Sequence, residues 1–468
     1  MDLGKIKKNM VKGKPARLFP VLPESKKEEK ATSILLAIFT AVPDFARTVL
    51  SEAGAPIGKR SSITCFTEVS FKGSKPSSRP DGLIVVSNSG KEWAALVETK
   101  VGRADLTNGQ VEDYLDIAKE QGFDAVITIG NQFAALPSHH PVKVNKNKTR
   151  QVQLFHFSWL SIISRALLLV DSKAVVDAEQ AYMLKELVRY LEHPSSGVTS
   201  SIRMSNSWRD VVQNVHQNIP LKKYDEHVAK AVSDWFQLLR YLSIRLSLAL
   251  GQPCSVSMPR KHISDPSIRL ADTIAEICDT NELKASLEIP NAAGKLELSV
   301  SLLRKTIDLG INLDTPKNVK QPRAAISFVL NQMRDFNGDD LTARVNWPRR
   351  VPSTALPIHQ AREETDRKQL IPENLKELPS SMDLLRIVDL GVGKLKSGSG
   401  LPEIAEAEML RFYQDAVQGL KKWVPDAPRI RAKKEADEPK AEAPTEAVSS
   451  ILDWGPIAMQ PSPFTSQD

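Results

Sequence analysis

Two short apolar runs, Gly82-Leu83-Ile84-Val85-Val86 and Trp93-Ala94-Ala95-Leu96-Val97, flank the turn residues Asn88-Ser89-Gly90. Runs of this length and composition read as strands, and an Asn-Ser-Gly tripeptide between them reads as a tight hairpin turn. This hairpin constrains the chain more than any other segment, because its outer ends are charged. Asp81 stands at the start of the first strand and Glu98 at the end of the second. Antiparallel pairing brings those points side by side. Alternate strand residues share a face, so Glu98 and Lys100 project the same way. The spacing therefore predicts two carboxylates and an amine at one end of a small sheet. Two acids suit a hard divalent cation such as Mg²⁺. The amine suits a developing negative charge or an attacking water.

The elements around the hairpin follow from periodicity. From about Glu28 to Ser51, the residues Ile34, Leu35, Ile38, Phe39, Val42, Phe45, Val49 and Leu50 recur at helical spacing, with Pro43-Asp44 as a helix break. Ile63 to Val69 is rich in β-branched and aromatic residues and predicts a strand. A polar loop, Lys72 to Arg79, leads into the hairpin. Leu106 to Gln121 reads as a helix closed by Gly122. Strands are predicted over Asp124–Ile129 and Val152–Phe157, then a helix over Trp159–Val170 and one more within 172–195. The order helix–strand–strand–strand–helix–strand predicts an α/β core.

Pro80-Asp81, then sixteen residues, then Glu98-Thr99-Lys100 resembles the PD-(D/E)xK nuclease superfamily, which has the restriction-endonuclease-like fold. Gln110-Val-Glu-Asp-Tyr114 is similar to the Gln-x-x-x-Tyr helix of the RecB-type branch. The resemblance covers about residues 28–170, and its αβββαβ core has the order that periodicity gives independently. It implies metal-dependent phosphodiester hydrolysis. Asp81, Glu98 and the backbone carbonyl of Thr99 would hold Mg²⁺, with Mn²⁺ as a substitute. Lys100 would position the water or stabilise the pentacovalent state. Gln110 and Tyr114, four apart and so on one helix face, would turn toward the metal end. Glu68 would be a third acidic ligand if its strand pairs beside Asp81. The superfamily often uses a glutamate of the first helix instead, here Glu28 or Glu29, although both also suit the helix dipole. Arg103 would touch backbone phosphate.

Net charge is +7, which permits nucleic-acid binding without demanding it. Residues 1–27 form a basic arm with Lys5, Lys7, Lys8, Lys12, Lys14 and Arg17 against only Asp2 up to that point. The arm reads either as a solvated terminus or as a phosphate-contacting extension. A second basic run, Lys143, Lys146, Lys148 and Arg150, lies in a loop with no acid. His139 and His140 are adjacent and ill placed to share an ion, and His156 reads as a core histidine. The cysteines Cys65, Cys254 and Cys278 are odd in number and far apart, which fits a reducing, cytoplasmic setting. No apolar run reaches about eighteen residues, so no membrane span is expected, nor does the N-terminus look like a secretory signal.

The organisation expected is a nuclease-like domain over 28–195 with a linker at Pro194–Gly197, and an accessory α+β domain over 200–424. In the latter, helices are predicted over Lys222–Leu250, Ala324–Met333 and Pro402–Trp423. Strands are predicted over Ala285–Ile289, Leu296–Leu302, Thr306–Leu313, Thr342–Trp347 and Leu384–Leu390, with a long surface loop over Pro348–Pro379. Residues 425–468, rich in Pro, Ala, Lys and Glu, read as disordered. Their apolar cluster, Ile451, Leu452, Trp454 and Ile457, is either incidental or a motif docking on a protein partner or on the chain itself. The function expected is a DNA nuclease. The alternatives are an RNA-cleaving nuclease and a catalytically silent binding protein on the same scaffold.

Overall fold

The computed structural model describes residues 3–73, 78–102, 104, 106–134, 136–198, 202–315, 319–334, 336, 338–373, 375 and 377–422. Arg103 and the whole 425–468 tail, with Ile451, Leu452, Trp454 and Ile457, lie outside the described residues.

Six strands form one mixed sheet in chain order: β1 (Met10–Pro15), β2 (Ser62–Phe71), β3 (Gly82–Asn88), β4 (Lys91–Thr99), β5 (Ala125–Gly130) and β6 (Gln153–Ser158). The first four pair antiparallel, while β4, β5 and β6 run parallel. The hairpin forms as expected, with Gly82 opposite Val97 and Asn88 opposite Lys91. Leu83, Ile84, Val85, Val86 and Ala94 to Val97 are all buried, because helices cover both faces of the sheet. That double cover explains why these strands read as continuous apolar runs rather than alternating ones.

The first eight α-helices along the chain are α1 (Leu3–Asn9), α2 (Lys27–Ala41), α3 (Pro43–Leu50), α4 (Asn108–Gln121), α5 (Trp159–Asp171), α6 (Ala178–Glu192), α7 (Asn206–His216) and α8 (Glu226–Leu250). The Pro43 break is real: α2 and the segment after it meet at 111°, with Pro43 in the first turn of α3. On one sheet face α2, α3, α5 and α6 pack over Ile84, Ala95 and Val97. On the other, α4 packs Val111, Tyr114 and Leu115 over Leu83, Val85 and Leu96. Thr107 caps α4 by accepting from the Gln110 amide at 3.4 Å, and Gly122 ends it in the left-handed conformation at φ 71°.

Two expectations for this region are corrected. The basic arm is not merely a solvated terminus: α1 buries Ile6, and β1 adds an edge strand to β2. The backbone hydrogen bonds of β2 supply what the arm's lysine-rich side chains could not. Nor is Pro194–Gly197 a free linker. It is a short 3₁₀ turn with Ser196 fully buried, and the Gly197 carbonyl accepts from the Gly102 amide at 2.6 Å.

The remaining strands build a second, wholly antiparallel sheet. They are β7 (Ser255–Val256), β8 (Glu282–Glu288), β9 (Leu296–Ser301), β10 (Thr306–Asp314), β11 (Thr342–Asn346), β12 (Thr354–Pro357) and β13 (Ser381–Asp389), in the order β12-β11-β13-β10-β9-β8-β7. The long helix α8 lies in its core through Trp235, Leu238, Leu239 and Leu242. The segment expected as a loop over Pro348–Pro379 instead holds β12 and two short helices, and it buries Ile358, Ala361 and Leu370. These anchors are too sparse in sequence to show a period. The helices Asn206–His216 and Pro266–Thr280 were likewise not expected. The Gly400–Phe412 helix ends sooner than the sequence implies and passes into a π turn, Tyr413–Val417. The two sheets keep largely separate cores. They meet through α5 and α8, with Phe133 edge-on to Tyr241 at 5.7 Å between ring centroids. Among the described residues no single helix is long and apolar enough to cross a membrane.

Gly82, next to Asp81, lets α2 approach the sheet. A Cβ there would lie 2.6 Å from Leu36 Cδ1 and 3.3 Å from the Phe66 carbonyl oxygen. Gly82→Ala is expected to destabilise the fold by about 1–3 kcal/mol, read as a lowered midpoint in urea denaturation. An unchanged midpoint would show that Leu36 yields freely.

Candidate active site

The β3–β4 register continues one step beyond Gly82–Val97 and sets Asp81 beside Glu98. Asp81 Oδ2 accepts from the Thr99 amide at 2.8 Å and from Thr99 Oγ1 at 3.1 Å. The Thr99 hydroxyl also lies 2.6 Å from that of Thr32 on α2, which fixes the first helix against the strand end. In extended backbone the N–H and C=O of one residue leave the strand on the same edge. The Thr99 carbonyl therefore faces the Asp81 side. Lys100 is pinned on the opposite edge, its amide donating to the Ile129 carbonyl at 2.8 Å and its own carbonyl accepting from Trp159 Nε1 at 2.9 Å.

Glu98 is only 2% exposed. Its Oε1 accepts from Lys100 Nζ at 2.6 Å and from Gln110 Nε2 at 2.6 Å. Its Oε2 is buried and has no hydrogen-bond partner among the described residues. A buried carboxylate oxygen left bare is costly unless something else meets it. Gln110 also reaches the Tyr114 hydroxyl at 3.2 Å, and that hydroxyl donates to the Arg79 carbonyl at 3.4 Å. The Gln/Tyr face of α4 thus turns to the carboxylates. Glu28 on α2 completes the ring: its Oε2 lies 3.6 Å from Lys100 Nζ, and its Oε1 accepts from the Val101 amide at 3.3 Å.

A cavity of about 420 Å³ opens beside these groups. Glu28, Glu29, Glu68, Asp81, Lys26, Lys27 and Arg79 supply its charged lining. Glu68 sits on β2, its amide bonded to the Asp81 carbonyl at 2.9 Å. Its Oε2 is held by the Arg79 guanidinium. Glu29 pairs with Lys26.

The electrostatics are those of a site short of positive charge. Burial, then the neighbouring Glu98, push the Asp81 carboxyl up to about 8 against the opposing Thr99 amide and Lys100. Burial also raises Glu98, with Lys100 and the nearby Tyr114 hydroxyl opposing. For Lys100 burial works downward, but Glu98, Glu28 and Asp81 outweigh it and the ammonium is stabilised. Tyr114 is raised by burial and by Glu98 and stays neutral. Two adjacent buried acids resist joint ionisation unless a cation joins them. The donor set for one is Asp81, Glu98 and the Thr99 carbonyl. Among the described residues no group of three or more His, Cys, Asp or Glu side chains is disposed to hold a metal.

The other candidates lie elsewhere. His156 donates from Nε2 to the Gln132 carbonyl at 2.9 Å and accepts at Nδ1 from Thr128 at 2.8 Å, as a satisfied core histidine. His140 shares the same Thr128 hydroxyl, and burial depresses both rings, to about 3 for His140 and about 4 for His156. His139 Nε2 donates to the Ile263 carbonyl at 2.9 Å and ties the β5–β6 connection to the second region. Lys143, Lys146 and Arg150 are exposed. Lys148, however, pairs with Asp116 at 2.8 Å and Glu112 at 3.5 Å. The loop's own sequence held no acid, but α4 supplies two. Sequence reasoning missed Thr32, Trp159 and Arg79, none of which belongs to a motif. The one signal present was the position of Arg79, directly before Pro80-Asp81.

No protein-family model, no curated protein and no solved structure matches this chain.

The raised Asp81 pKa makes stability pH-dependent. An unfolded aspartate titrates near 4, so between about pH 4 and 8 the folded state holds a proton that the unfolded chain has released. Stability must fall as pH rises through that window. In metal-free buffer the melting temperature is expected to drop from pH 5 to 8, and Asp81→Asn should flatten the drop. Equal slopes for the two proteins would refute the assignment.

Proposed function

We propose that this protein is a divalent-metal-dependent nuclease of the PD-(D/E)xK superfamily, with a restriction-endonuclease-like core, and that it hydrolyses phosphodiester bonds in DNA. The observation that carries this reading is the bare, buried Glu98 Oε2 beside Asp81. A buried carboxylate oxygen of this kind, next to a second acid, fits a divalent cation. Asp81, Glu98 and the Thr99 carbonyl are hard oxygen donors of the kind Mg²⁺ or Mn²⁺ takes.

When bound, the ion supplies charge neutralisation at the phosphate and acidity to the nucleophilic water. The side chains do the rest. Thr99 holds Asp81, while Gln110 and Lys100 hold Glu98 Oε1 and leave Oε2 free to bind. Lys100 stays an ammonium at neutral pH, because the three acids around it favour the charged form. It therefore acts as a hydrogen-bond donor, orienting the water and stabilising the charge that builds on the phosphoryl oxygens. It is not the base. The net charge of +7 permits DNA as the substrate, and Lys26, Lys27 and Arg79 at the cavity offer cations among its four acids.

The test is cleavage of linear, circular and single-stranded DNA and of RNA, with Mg²⁺, Mn²⁺ or EDTA. Asp81→Ala and Glu98→Ala are expected to abolish cleavage and Mn²⁺ binding in calorimetry, with circular dichroism unchanged. Lys100→Ala should lower kcat by roughly 10²-fold while Mn²⁺ still binds. Full activity in either acid variant would reject the proposal.

The basic loop yields a separate expectation. Replacing exposed Lys143 and Lys146 with alanine should reduce the salt dependence of DNA binding, by about one unit of slope for each phosphate no longer neutralised. Lys148→Ala should change it little, since Asp116 and Glu112 already neutralise that charge. A larger effect from Lys148 than from the other two would show that its ion pairs open on binding.

A further inference from the structure

Glu68 is held in a conformation that its own strand does not favour. Its φ is +56°, in the left-handed region that a residue with a Cβ rarely adopts. The β1–β2 register shifts between Lys12 and Lys14, where the partner changes from Ser70 to Thr67, so Glu68 sits in an irregularity of β2. Such bulges re-aim side chains next to functional sites. Here the re-aimed carboxylate enters the cavity and meets the guanidinium of Arg79.

The backbone of Arg79 is equally well placed. Its carbonyl accepts from Tyr114, the Pro80 carbonyl accepts from the Val69 amide at 3.2 Å, and the Asp81 carbonyl accepts from the Glu68 amide. Arg79 thus leads directly into the first metal-ligand candidate, from a tethered stretch of chain. Its side chain is 45% exposed. An ion pair that open to water adds little stability, so stability alone does not account for the strain at Glu68. A guanidinium fork fits a phosphate in two-point fashion, and a phosphodiester brings the same charge that the Glu68 carboxylate now offers.

Resting on the nuclease reading above, we propose that Arg79 is a phosphate clamp for the substrate backbone, and that Glu68 is its resident counter-ion, displaced when DNA enters. Glu68 then serves as a gate rather than as a third metal ligand. A strand of DNA, with its fixed array of phosphates and its other contacts to the protein, displaces the carboxylate. An isolated anion can offer the guanidinium only a single phosphate.

The experiment measures binding of a short single-stranded oligodeoxynucleotide, in Ca²⁺ to prevent turnover, between about 50 and 200 mM salt. Arg79→Ala should weaken binding about 10-fold and lower the salt slope by about 0.7. Arg79→Lys should keep the slope and recover only part of the affinity. Glu68→Gln should act in the opposite direction and tighten binding several-fold, because it frees the guanidinium. Opposite signs for the two variants cannot come from a merely structural tie. Mn²⁺ calorimetry on wild type and Arg79→Ala runs in parallel. Equal Mn²⁺ affinity in both supports a clamp separate from the metal ligands. An unchanged slope in Arg79→Ala overturns the clamp, as does matched weakening in both variants with a lowered melting temperature. If the wild type cleaves nothing with Mg²⁺ or Mn²⁺, the nuclease reading fails, and the salt slopes still decide whether Arg79 grips phosphate.

Discussion

The burial of the Glu98 carboxylate at the end of β4, directly across from Asp81, governs the arrangement of everything near it. Removing one carboxylate from water is unfavourable by several kcal/mol unless partners replace the lost hydration, and here two acids share the problem. The chain meets it from three directions. Lys100 comes from just past the end of β4, two residues on, Gln110 from α4 on one face, and Thr99 turns its amide and hydroxyl to Asp81. The compensation stops one atom short, at Glu98 Oε2.

The sheet's mixed topology makes that end of β4 accessible. β4 pairs antiparallel with β3, which delivers Asp81, and parallel with β5, whose Ile129 carbonyl holds the Lys100 amide. The parallel connection needs a crossover, and α4 is that crossover. Its capped first turn places Gln110 over the strand end. The helix is therefore part of the site because of how the chain must travel, and its side chains arrive already oriented. On the other face Thr32 and Glu28 of α2 do the same from a helix held against the sheet by Leu35, Leu36 and Phe39.

Much of this was legible in the sequence where local signals and long-range order coincide. The hairpin was readable because Asn88-Ser89-Gly90 fixes the turn, the turn fixes the register, and the register sets Asp81 beside Glu98. The α4 face was readable because residues four apart must share it. Glu28 was legible only as a weaker candidate, since first-turn acids are common on helices that bind nothing. What escaped the sequence depends on partners far along the chain. β1 is lysine-rich and has no alternation of its own, so only β2 makes it a strand. Thr32 and Trp159 look like ordinary core residues until Thr99 and the Lys100 carbonyl meet them. The Glu68–Arg79 pair arises from a backbone irregularity that no composition rule encodes. In the second region most of the strands were found, while the helix Asn206–His216 was missed despite the helical spacing of Trp208, Val211, Val212 and Val215, and elements held by one or two anchors, such as Ile358 and Leu370, were missed as well.

The edge strand β1 also bears on how the protein behaves in a crowded solution. An uncovered sheet margin is a template for another chain's backbone. β2 would be such a margin, ten residues long, with Phe66, Val69 and Phe71 along it and Glu68 as its one charged residue. β1 occupies it with a strand that is a poor template in turn. It has exposed Lys12 and Lys14, Pro15 at its end, and two register shifts that spoil a flat ladder. A chain trimmed to begin after Pro15 would keep every carboxylate of the cavity and yet expose this margin. Its failing would be self-association, because the arm shields the sheet from other copies of the chain.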